Sequence, residues 1–434
     1  MEGAVFPVIV FVLVYLAITF ELVNKAVAAL LGVMVLLLTH AVSEHEAVQF
    51  IDFETIMLLM GMMIIVAILR KSGFFTIMSV KIAEMTEGRP LKILVLFSIV
   101  TASVSAFLDN VTTVLIIVPI VIELTRGMGL DPKPYIISQA VVSNIGGTAT
   151  LIGDPPNIII GSKTALTFND FILNLTPVVA VCVVAMIGYY WVTDREKFQP
   201  IDNDLVKLFS VQFLLRKIRH DFIGISFDKV FLGKALGCLA LALILFVTQT
   251  ITKISPGVVA LLVGMILLLI TRVDVEHMLV EVEWSTLLFF AGLFVLVGVL
   301  EEKGVIEWIA RNVFLKVGSN PYVIVLTVLW VSGIVSGFLD NIPFTITMIP
   351  IVKLILDTTP IPHNILWWAL SLGACFGGNL TMVGASANIV SVGMAKKHGC
   401  EISFMEFCKS SAIITILTLV ICSVYLCGYL WLTR

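Results

Sequence analysis

The amino-acid sequence predicts an all-α integral membrane protein built from two inverted repeats, each with five membrane spans, a re-entrant helical hairpin and a broken helix. Three observations support this fold class. Of the 434 residues, 59% are hydrophobic and 13% are charged, whereas about a quarter of the residues in a soluble domain are charged. The sequence also matches itself at a fixed offset of 231 residues, which is the spacing between Asp109 and Asp340. Finally, each half places polar residues in the middle of apolar runs.

Ten apolar runs are suited to crossing a bilayer, for which an α-helix needs about 20 apolar residues. The first five belong to a first repeat over residues 1–192, and the last five belong to a second repeat over residues 229–434. The polar residues 193–228 between them are expected to form a cytoplasmic linker. The predicted spans are residues 5–23, 26–40, 55–69, 135–162, 171–192, 230–251, 255–271, 285–300, 364–395 and 410–432.

Two further apolar stretches, residues 91–124 and 321–355, carry an Asp-Asn pair near their centres. Each arm has about 16 residues and reaches only about 24 Å as an α-helix, which is less than the roughly 30 Å of hydrocarbon in a bilayer. We therefore expect two re-entrant hairpins whose tips stop inside the membrane. The alternative is that each stretch forms two short tilted spans joined outside the membrane.

The distribution of basic residues predicts the orientation. Most of the 27 Lys and Arg residues fall in loops that ten crossings place on one side of the membrane. Because basic loops stay in the cytoplasm, both termini are predicted to be non-cytoplasmic. An odd number of spans per half makes the second repeat enter the membrane from the opposite side. The expected location of this multi-pass protein is the cell membrane of a prokaryote or an organelle membrane.

Three carboxylates, Asp109, Asp154 and Asp340, fall inside these apolar regions. An ionised carboxylate at the bilayer centre costs roughly 2.5–3.5 kcal/mol on insertion scales, so bound cations, protons or helix N-termini must compensate the charge. Plain helix capping is the competing explanation for the two Asp-Asn pairs. The pairs Asp109–Asn110 and Asp340–Asn341 are candidate binding sites for a sodium ion. The predicted ion- and substrate-binding residues are Asp109, Asn110, Thr112, Thr148, Thr150, Asp154, Asn157, Asp340, Asn341, Thr345, Asn379, Thr381, Ser386 and Asn388.

Residues 146–157 and their counterparts, residues 377–388, place helix-breaking residues inside apolar spans. Glycine costs up to about 1 kcal/mol and proline about 3 kcal/mol in a helix interior, so both helices should be broken. Asp154 is expected at the N-cap position where the first helix restarts. Ala385 replaces Asp154 in the second repeat, so the two half-sites should differ in charge. The expected backbone hinges are Gly146, Gly147, Gly153, Pro155, Pro156, Gly377, Gly378 and Gly384.

Several function classes are disfavoured. The sequence has no basic stripe interleaved with aromatic residues, so no nucleic-acid partner is expected. It lacks the HExxH and GxxxxGK[ST] patterns, which disfavours a zinc enzyme and a P-loop ATPase. We predict no enzyme activity and no cofactor apart from transported or coupling ions. Asp52, Glu54, Glu283 and Ser285 are interpreted as ordinary helix starts outside the site.

Four motifs are long enough to be specific: residues 107–113 (Phe-Leu-Asp-Asn-Val-Thr-Thr), 153–157 (Gly-Asp-Pro-Pro-Asn), 338–345 (Phe-Leu-Asp-Asn-Ile-Pro-Phe-Thr) and 384–388 (Gly-Ala-Ser-Ala-Asn). They resemble the ion transporter superfamily, in particular its arsenite-permease and sodium/proton-antiporter-like branch. The resemblance implies an elevator-type homodimer, in which spans 1, 2, 6 and 7 form a scaffold and the hairpins and broken helices form a transport domain. The related dicarboxylate transporters carry neutral Ser-Asn-Thr motifs that bind sodium at their hairpin tips. Asp-Asn pairs replace them here, which favours cation or proton handling over carboxylate import.

We therefore expect a secondary active ion transporter coupled to protons, sodium or both. Three carboxylates are expected at the bilayer centre, and no Lys or Arg is expected there. This composition favours sodium/proton exchange or proton-coupled ion exchange. The open alternatives are transport of a small anion, of arsenite or antimonite, or of a carboxylate, followed by a passive anion channel. The expected partners are a small ion or small-molecule substrate, the lipid bilayer and a second copy of the chain.

Overall fold

The computed structural model describes residues 4–20, 22–86, 89–193, 228–314, 320–359, 361–362 and 364–433. These residues form helices joined by turns, and no β-strand occurs among them. The prediction of an all-α protein is therefore confirmed. Most of the predicted linker, residues 194–227, lies outside the described residues.

The described residues before the linker form ten helices, and local sequence explains several of their starts. In a capping box at the start of α3, the Glu46 carboxylate accepts the Ser43 backbone amide, and the Ser43 hydroxyl accepts the Glu46 amide. Pro90 begins α6, where a proline removes no helical hydrogen bond. The helices are α1 (Val5–Thr19), α2 (Lys25–Leu38), α3 (Glu44–Phe50), α4 (Phe53–Lys71), α5 (Phe74–Thr86), α6 (Pro90–Ser105), α7 (Asn110–Gly127), α8 (Lys133–Gly147), α9 (Pro155–Lys163) and α10 (Phe168–Thr193).

The described residues after the linker form eleven α-helices, and a π-helical turn, Ala310–Phe314, follows the sixth of them. They are α11 (Lys229–Val247), α12 (Gln249–Thr252), α13 (Pro256–Thr271), α14 (Val275–Val280), α15 (Trp284–Glu302), α16 (Val305–Ile309), α17 (Pro321–Ser336), α18 (Asn341–Thr358), α19 (Ile365–Gly377), α20 (Ser386–Lys397) and α21 (Phe404–Leu432). Pro90 and Pro321 begin α6 and α17, and Asn110 and Asn341 begin α7 and α18. Helix starts thus recur at the offset of 231 residues, and the inverted orientation of the second half stays a prediction.

Seven of the described helices are long and apolar enough to cross a membrane, namely α4, α7, α10, α11, α15, α18 and α21. Five of them coincide with predicted spans, and α7 and α18 are the returning arms of the predicted hairpins. The predicted spans 5–23, 26–40 and 255–271 coincide with shorter apolar helices. Spans 135–162 and 364–395 each contain two helices and a break. The protein is a multi-pass integral membrane protein, and the count of ten crossings stays a prediction.

Helix packing brings the hairpins and the broken helices of both halves together. The entering hairpin arms α6 and α17 pack against α8 and α19, which are the first parts of the broken helices. The returning arms cross between halves, so that α7 packs against α20 and α18 packs against α9. Away from this group, α2 packs against α15 and α13 packs against α4. Both hairpin tips and both breaks therefore meet at one site.

Candidate functional site

Both broken helices contain an irregular segment beside the hairpin tips. α8 ends at Gly147 and α9 begins at Pro155, whereas α19 ends at Gly377 and α20 begins at Ser386. Pro155 and Pro156 occupy the first turn of α9, where proline is tolerated because the amide there has no helical partner. Both helices are thus interrupted at the positions that the glycines and prolines in the sequence predicted.

The glycines at the breaks allow close contact between backbones. A Cβ atom on Gly146 would lie 2.4 Å from the backbone of Ala102 in α6, and one on Gly377 would lie 2.2 Å from the carbonyl oxygen of Gly333 in α17. Among the described residues, the glycines with positive φ lie elsewhere. Close approach, rather than a left-handed turn, therefore explains these glycines, and a hinge motion stays a prediction. Added Cβ atoms would also lie 2.4–2.9 Å from backbone atoms at Gly147, Gly153, Gly378 and Gly384.

Equivalent hydroxyl groups tie each broken helix to its hairpin. Thr150 donates its hydroxyl to the carbonyl of Ala106, and Thr381 donates to the carbonyl of Gly337. A serine in each entering hairpin arm donates in the reverse direction, to a carbonyl of α8 or α19, at 2.7 Å in both halves. Thr150 and Thr381 were predicted as binding residues, but their hydroxyl protons are engaged in these structural bonds.

Asn157 and Asn388 brace the two breaks. Asn157 Nδ2 donates to the carbonyls of Thr148 and Thr150 at 3.0 and 2.8 Å. Asn388 Nδ2 donates to two carbonyls of the second break at 2.9 and 3.0 Å. The Asn157 side-chain oxygen accepts the Ser371 hydroxyl at 2.5 Å. These amides fix the irregular segments in shape, and Asn157 also connects the first break to α19.

Three predicted threonines support helices. The hydroxyls of Thr148 and Thr345 donate to carbonyls four residues earlier, at 2.8 and 2.7 Å. Thr112 contributes its backbone amide to the Asp109 carboxylate at 3.0 Å. The structure therefore places these three residues beside the site in structural roles.

A chain of buried amide side chains connects the two halves. Asn110 Nδ2 donates to Asn144 Oδ1 at 2.9 Å. Asn144 Nδ2 donates to Asn379 Oδ1 at 2.8 Å and to Asn388 Oδ1 at 3.0 Å. Asn144 was not predicted as a site residue, because Cys375 occupies the equivalent position in the second repeat and no recurring polar pair indicated it. Asn144 is nevertheless the link between the first hairpin and the second broken helix.

Asp154 lies where these amides meet. Its side chain is fully buried, and Oδ1 accepts Asn110 Nδ2 at 3.3 Å and Asn341 Nδ2 at 3.4 Å. It holds the N-cap position of α9, as expected, but its side chain makes no capping hydrogen bond. Among the described residues, Asp154 Oδ2 and Asn379 Nδ2 are buried without a hydrogen-bond partner. The buried Cys375 thiol lies beside this carboxylate, but no hydrogen bond of normal geometry and no basic side chain among the described residues compensates Oδ2.

Asp109 and Asp340 cap the returning hairpin arms in different surroundings. Asp109 Oδ1 accepts two first-turn amides of α7 at 2.9 and 3.0 Å. Asp340 Oδ1 accepts one amide, that of Ile342, at 3.2 Å, and its Oδ2 forms an ion pair with Lys25 Nζ. Lys25 Nζ also lies 3.4 Å from the Ser386 hydroxyl. Both residues therefore act as helix caps, and Asp340 also pairs with the Lys25 ammonium group.

A basic residue that was not predicted, Lys25, contacts the candidate site through Asp340. Lys25 begins α2, next to the end of a predicted span, a position typical of an interfacial anchor. Its partner Asp340 lies 315 residues away in the sequence, so no local pattern could have indicated the contact.

A cavity of about 590 Å³ opens beside the hairpin tips and the first break. Asp52 and Glu54 lie outside it, as expected: Asp52 accepts the Ser162 hydroxyl at 2.5 Å, and Glu54 accepts the Gly257 backbone amide at 2.8 Å. The interpretation of Glu283 and Ser285 as residues outside the site is wrong, because both line the cavity. The polar lining comprises Asn24, Lys25, Asp109, Asn110, Asp154, Glu283, Ser285, Thr286, Asn341 and Ser386.

Several known proteins resemble this chain in sequence or in fold. An uncharacterized transporter of Mycobacterium tuberculosis (strain ATCC 25618 / H37Rv) is 38% identical over 433 residues, which cover 98% of each chain. The P protein of Homo sapiens is 34% identical over an alignment of 473 positions, gaps included, which covers 91% of this chain and 56% of that protein. The crystal structure of the Alcanivorax borkumensis YdaH transporter superposes with a TM-score of 0.53 at 12% identity, covering 88% of this chain and 86% of that one. This last likeness supports the fold alone.

The family model described as CitMHS, citrate transporter, matches residues 15–373. This match confirms the resemblance to the ion transporter superfamily. The chain is therefore a membrane transporter that belongs to the citrate transporter family.

Proposed function

We propose that the protein is a secondary active transporter that couples solute movement to a proton or a sodium ion bound at Asp154. The observation that carries this proposal is the environment of the Asp154 carboxylate. It is fully buried, it accepts amides from both hairpin tips on Oδ1, and Oδ2 has no partner among the described residues. No described basic side chain forms an ion pair with it.

Electrostatics explain why such a carboxylate binds a cation. A buried ionised carboxylate without a counter-charge is strongly unfavourable, so the group takes up a proton or pairs with a cation. The described residues contain no group of three or more His, Cys, Asp or Glu side chains that could hold a metal ion. A sodium ion at Asp154 would therefore complete its coordination with neutral amide, hydroxyl or carbonyl oxygens, which are hard ligands suited to such a cation. A proton would need Oδ2 alone.

The position of Asp154 suits coupling. Its two amide donors, Asn110 and Asn341, begin the returning arms of the two hairpins. Neutralisation of the carboxylate would weaken both hydrogen bonds at once, because bonds to a charged acceptor are stronger than bonds to a neutral one. Binding of one cation thereby acts on both halves of the molecule.

A small carboxylate anion is the cargo that we propose, ahead of the sodium/proton exchange favoured by the sequence alone. Sodium/proton exchange was favoured because no Lys or Arg was expected near the carboxylates. Lys25 lines the cavity, so that reason no longer holds. The cavity volume of about 590 Å³ is also far larger than an inorganic ion requires. The name of the family, citrate transporter, supports the same class of cargo.

Flux measurements in reconstituted vesicles test the coupling step. We expect the wild type to accumulate labelled citrate when a sodium or pH gradient is imposed. Asp154→Asn should lose the gradient-driven component, because asparagine neither takes up the proton nor supplies a counter-charge. Asp131→Asn, at an exposed residue before α8, is the matched control and should behave as the wild type does.

The outcomes separate the competing functions. Gradient-driven uptake by Asp154→Asn equal to that of the wild type would contradict the assignment of Asp154. Citrate that equilibrates without accumulation in wild-type vesicles would indicate a passive channel. Sodium-22 movement that changes internal pH, with no effect of citrate, would indicate sodium/proton exchange. Accumulation of arsenite in place of citrate would identify the other solute class.

A further inference from the structure

Lys25 is an unusual residue at its position in α2. It is the first residue of the helix, and Asn24 caps the helix by accepting the Ala26 amide at 2.9 Å. The N-terminus of a helix carries partial positive charge, so a cation there is unfavourable for the helix itself. The equivalent residue of the second repeat is Pro256, which suits the first position of a helix. Helix formation therefore does not explain Lys25.

The contacts of Lys25 explain it instead. Its ammonium group forms an ion pair with Asp340 Oδ2 and lies 3.4 Å from Ser386 Oγ. The Lys25 side chain is 30% exposed on the cavity side, whereas the Asp340 side chain is only 4% exposed. Asp109, the repeat counterpart of Asp340, accepts two backbone amides where Asp340 accepts one. The lysine thus supplies compensation that the helix supplies at Asp109.

The ion pair adds a direct link between α2 and α18, both of which also pack against α15. α2 packs against α1 and α15. Asp340 precedes α18, which packs against α9 and α19, and both of these are parts of the broken helices around Asp154. The ion pair therefore spans from α2 to the helices that hold the candidate cation site. A displacement of α18 relative to α2 by more than the reach of the lysine side chain would break it.

We propose that Lys25 is a tethered cation that occupies Asp340 until a free monovalent cation displaces it. The inference rests on the proposed cation-coupled transport and adds a release step to it. A sodium ion that reaches Asp340 neutralises the carboxylate, and repulsion between like charges expels the ammonium group into the cavity. Glu283 and Asp109 line the same cavity and can receive it. Displacement removes the charged contact between α18 and α2, so the helices around Asp154 move more readily after the cation has bound.

Sodium titrations of thermal stability test the competition. Purified protein is unfolded by heat at a fixed pH across a sodium series, with choline keeping the ionic strength constant, because a ligand that binds the folded state raises its stability. Lys25→Met removes the internal competitor and keeps the length of the side chain. We expect half-maximal stabilisation at up to about fivefold lower sodium than in the wild type, since an ion pair with one solvent-exposed partner contributes on this scale. Lys25→Arg keeps the pair and should not lower the requirement.

A double variant locates the effect. Lys25→Met combined with Asp340→Asn should lose the gain in apparent affinity, because the contested carboxylate is absent. An unchanged sodium requirement in Lys25→Met overturns the proposal, and so does a wild type that sodium does not stabilise. If neither Lys25→Met nor Lys25→Gln yields folded protein at any sodium concentration, sodium cannot replace the ammonium group at Asp340, and displacement is excluded. Each of these results leaves the coupling role of Asp154 to be decided separately by the flux of Asp154→Asn.

Discussion

Asp109 and Asp340 show how neighbouring charges give different roles to equivalent residues. Each caps the returning arm of a hairpin and accepts at least one backbone amide. Capping requires an acceptor oxygen and is performed equally well by asparagine, so capping alone does not explain two carboxylates in an apolar environment. Asp340 has Lys25 as a counter-charge, whereas Asp109 faces the cavity together with Asp154 and Glu283. We therefore expect charge to matter at Asp109 as well as shape.

Two substitutions separate these contributions at Asp109. Asp109→Asn keeps an acceptor for the two amides of α7, so its thermal stability should stay close to that of the wild type. Its gradient-driven flux should fall by about tenfold or more, which corresponds to a loss of about 1.4 kcal/mol in interaction with the cation. Asp109→Ala should lose both flux and about 1 kcal/mol of stability through the missing cap. Normal flux in Asp109→Asn with reduced stability in Asp109→Ala would show that the residue is only a cap.

At the scale of helices, the sequence predicted the positions of helices and breaks well, but it did not predict contacts between side chains far apart in the sequence. Apolar length and the intrinsic cost of glycine and proline are local properties, and they indicated the hairpin arms and both breaks within a few residues. The ion pair between Lys25 and Asp340 joins residues 315 positions apart, so no local property could have indicated it. Asn144 was missed for a related reason, because its hydrogen bonds run to Asn110, Asn379 and Asn388 in other elements. Contacts that arise only when the halves pack require the folded structure.

The close contact between α6 and α8 leads to a prediction on stability. An alanine at Gly146 would place its Cβ atom 2.4 Å from the backbone of Ala102, and overpacking of this kind costs about 1–3 kcal/mol. This cost should exceed the gain in helix propensity, about 1 kcal/mol. Gly188→Ala in α10 is the matched control, because no atom lies within 4 Å of its added Cβ atom. Thermal unfolding in detergent should show a lower midpoint for Gly146→Ala and an equal or higher one for Gly188→Ala, and equal midpoints would contradict the packing argument.

At the scale of the whole molecule, two cavities lie at different ends of the helices. The large cavity is lined by residues at helix starts, such as Lys25 at the start of α2 and Glu283 before α15. A smaller cavity of about 210 Å³ is lined by Glu301 near the end of α15 and by Lys163 at the end of α9. α15 runs from one cavity to the other, so the two cavities face opposite sides of the membrane if α15 is a span. In the predicted orientation the large cavity opens to the cytoplasm.

Reporter fusions in a bacterial host test this orientation. Alkaline phosphatase needs disulfides that form only outside the cytoplasm, whereas green fluorescent protein reports a cytoplasmic position. Because basic loops stay inside, we expect phosphatase activity from a fusion after Thr433 and fluorescence from a fusion after Thr193, where the predicted cytoplasmic linker begins. The two reporters exchanged between the same sites serve as controls and should both be inactive. A fluorescent fusion after Thr433 would place that end of the chain in the cytoplasm. The predicted count of five crossings in the second half would then be wrong, and with it the inverted relation between the repeats.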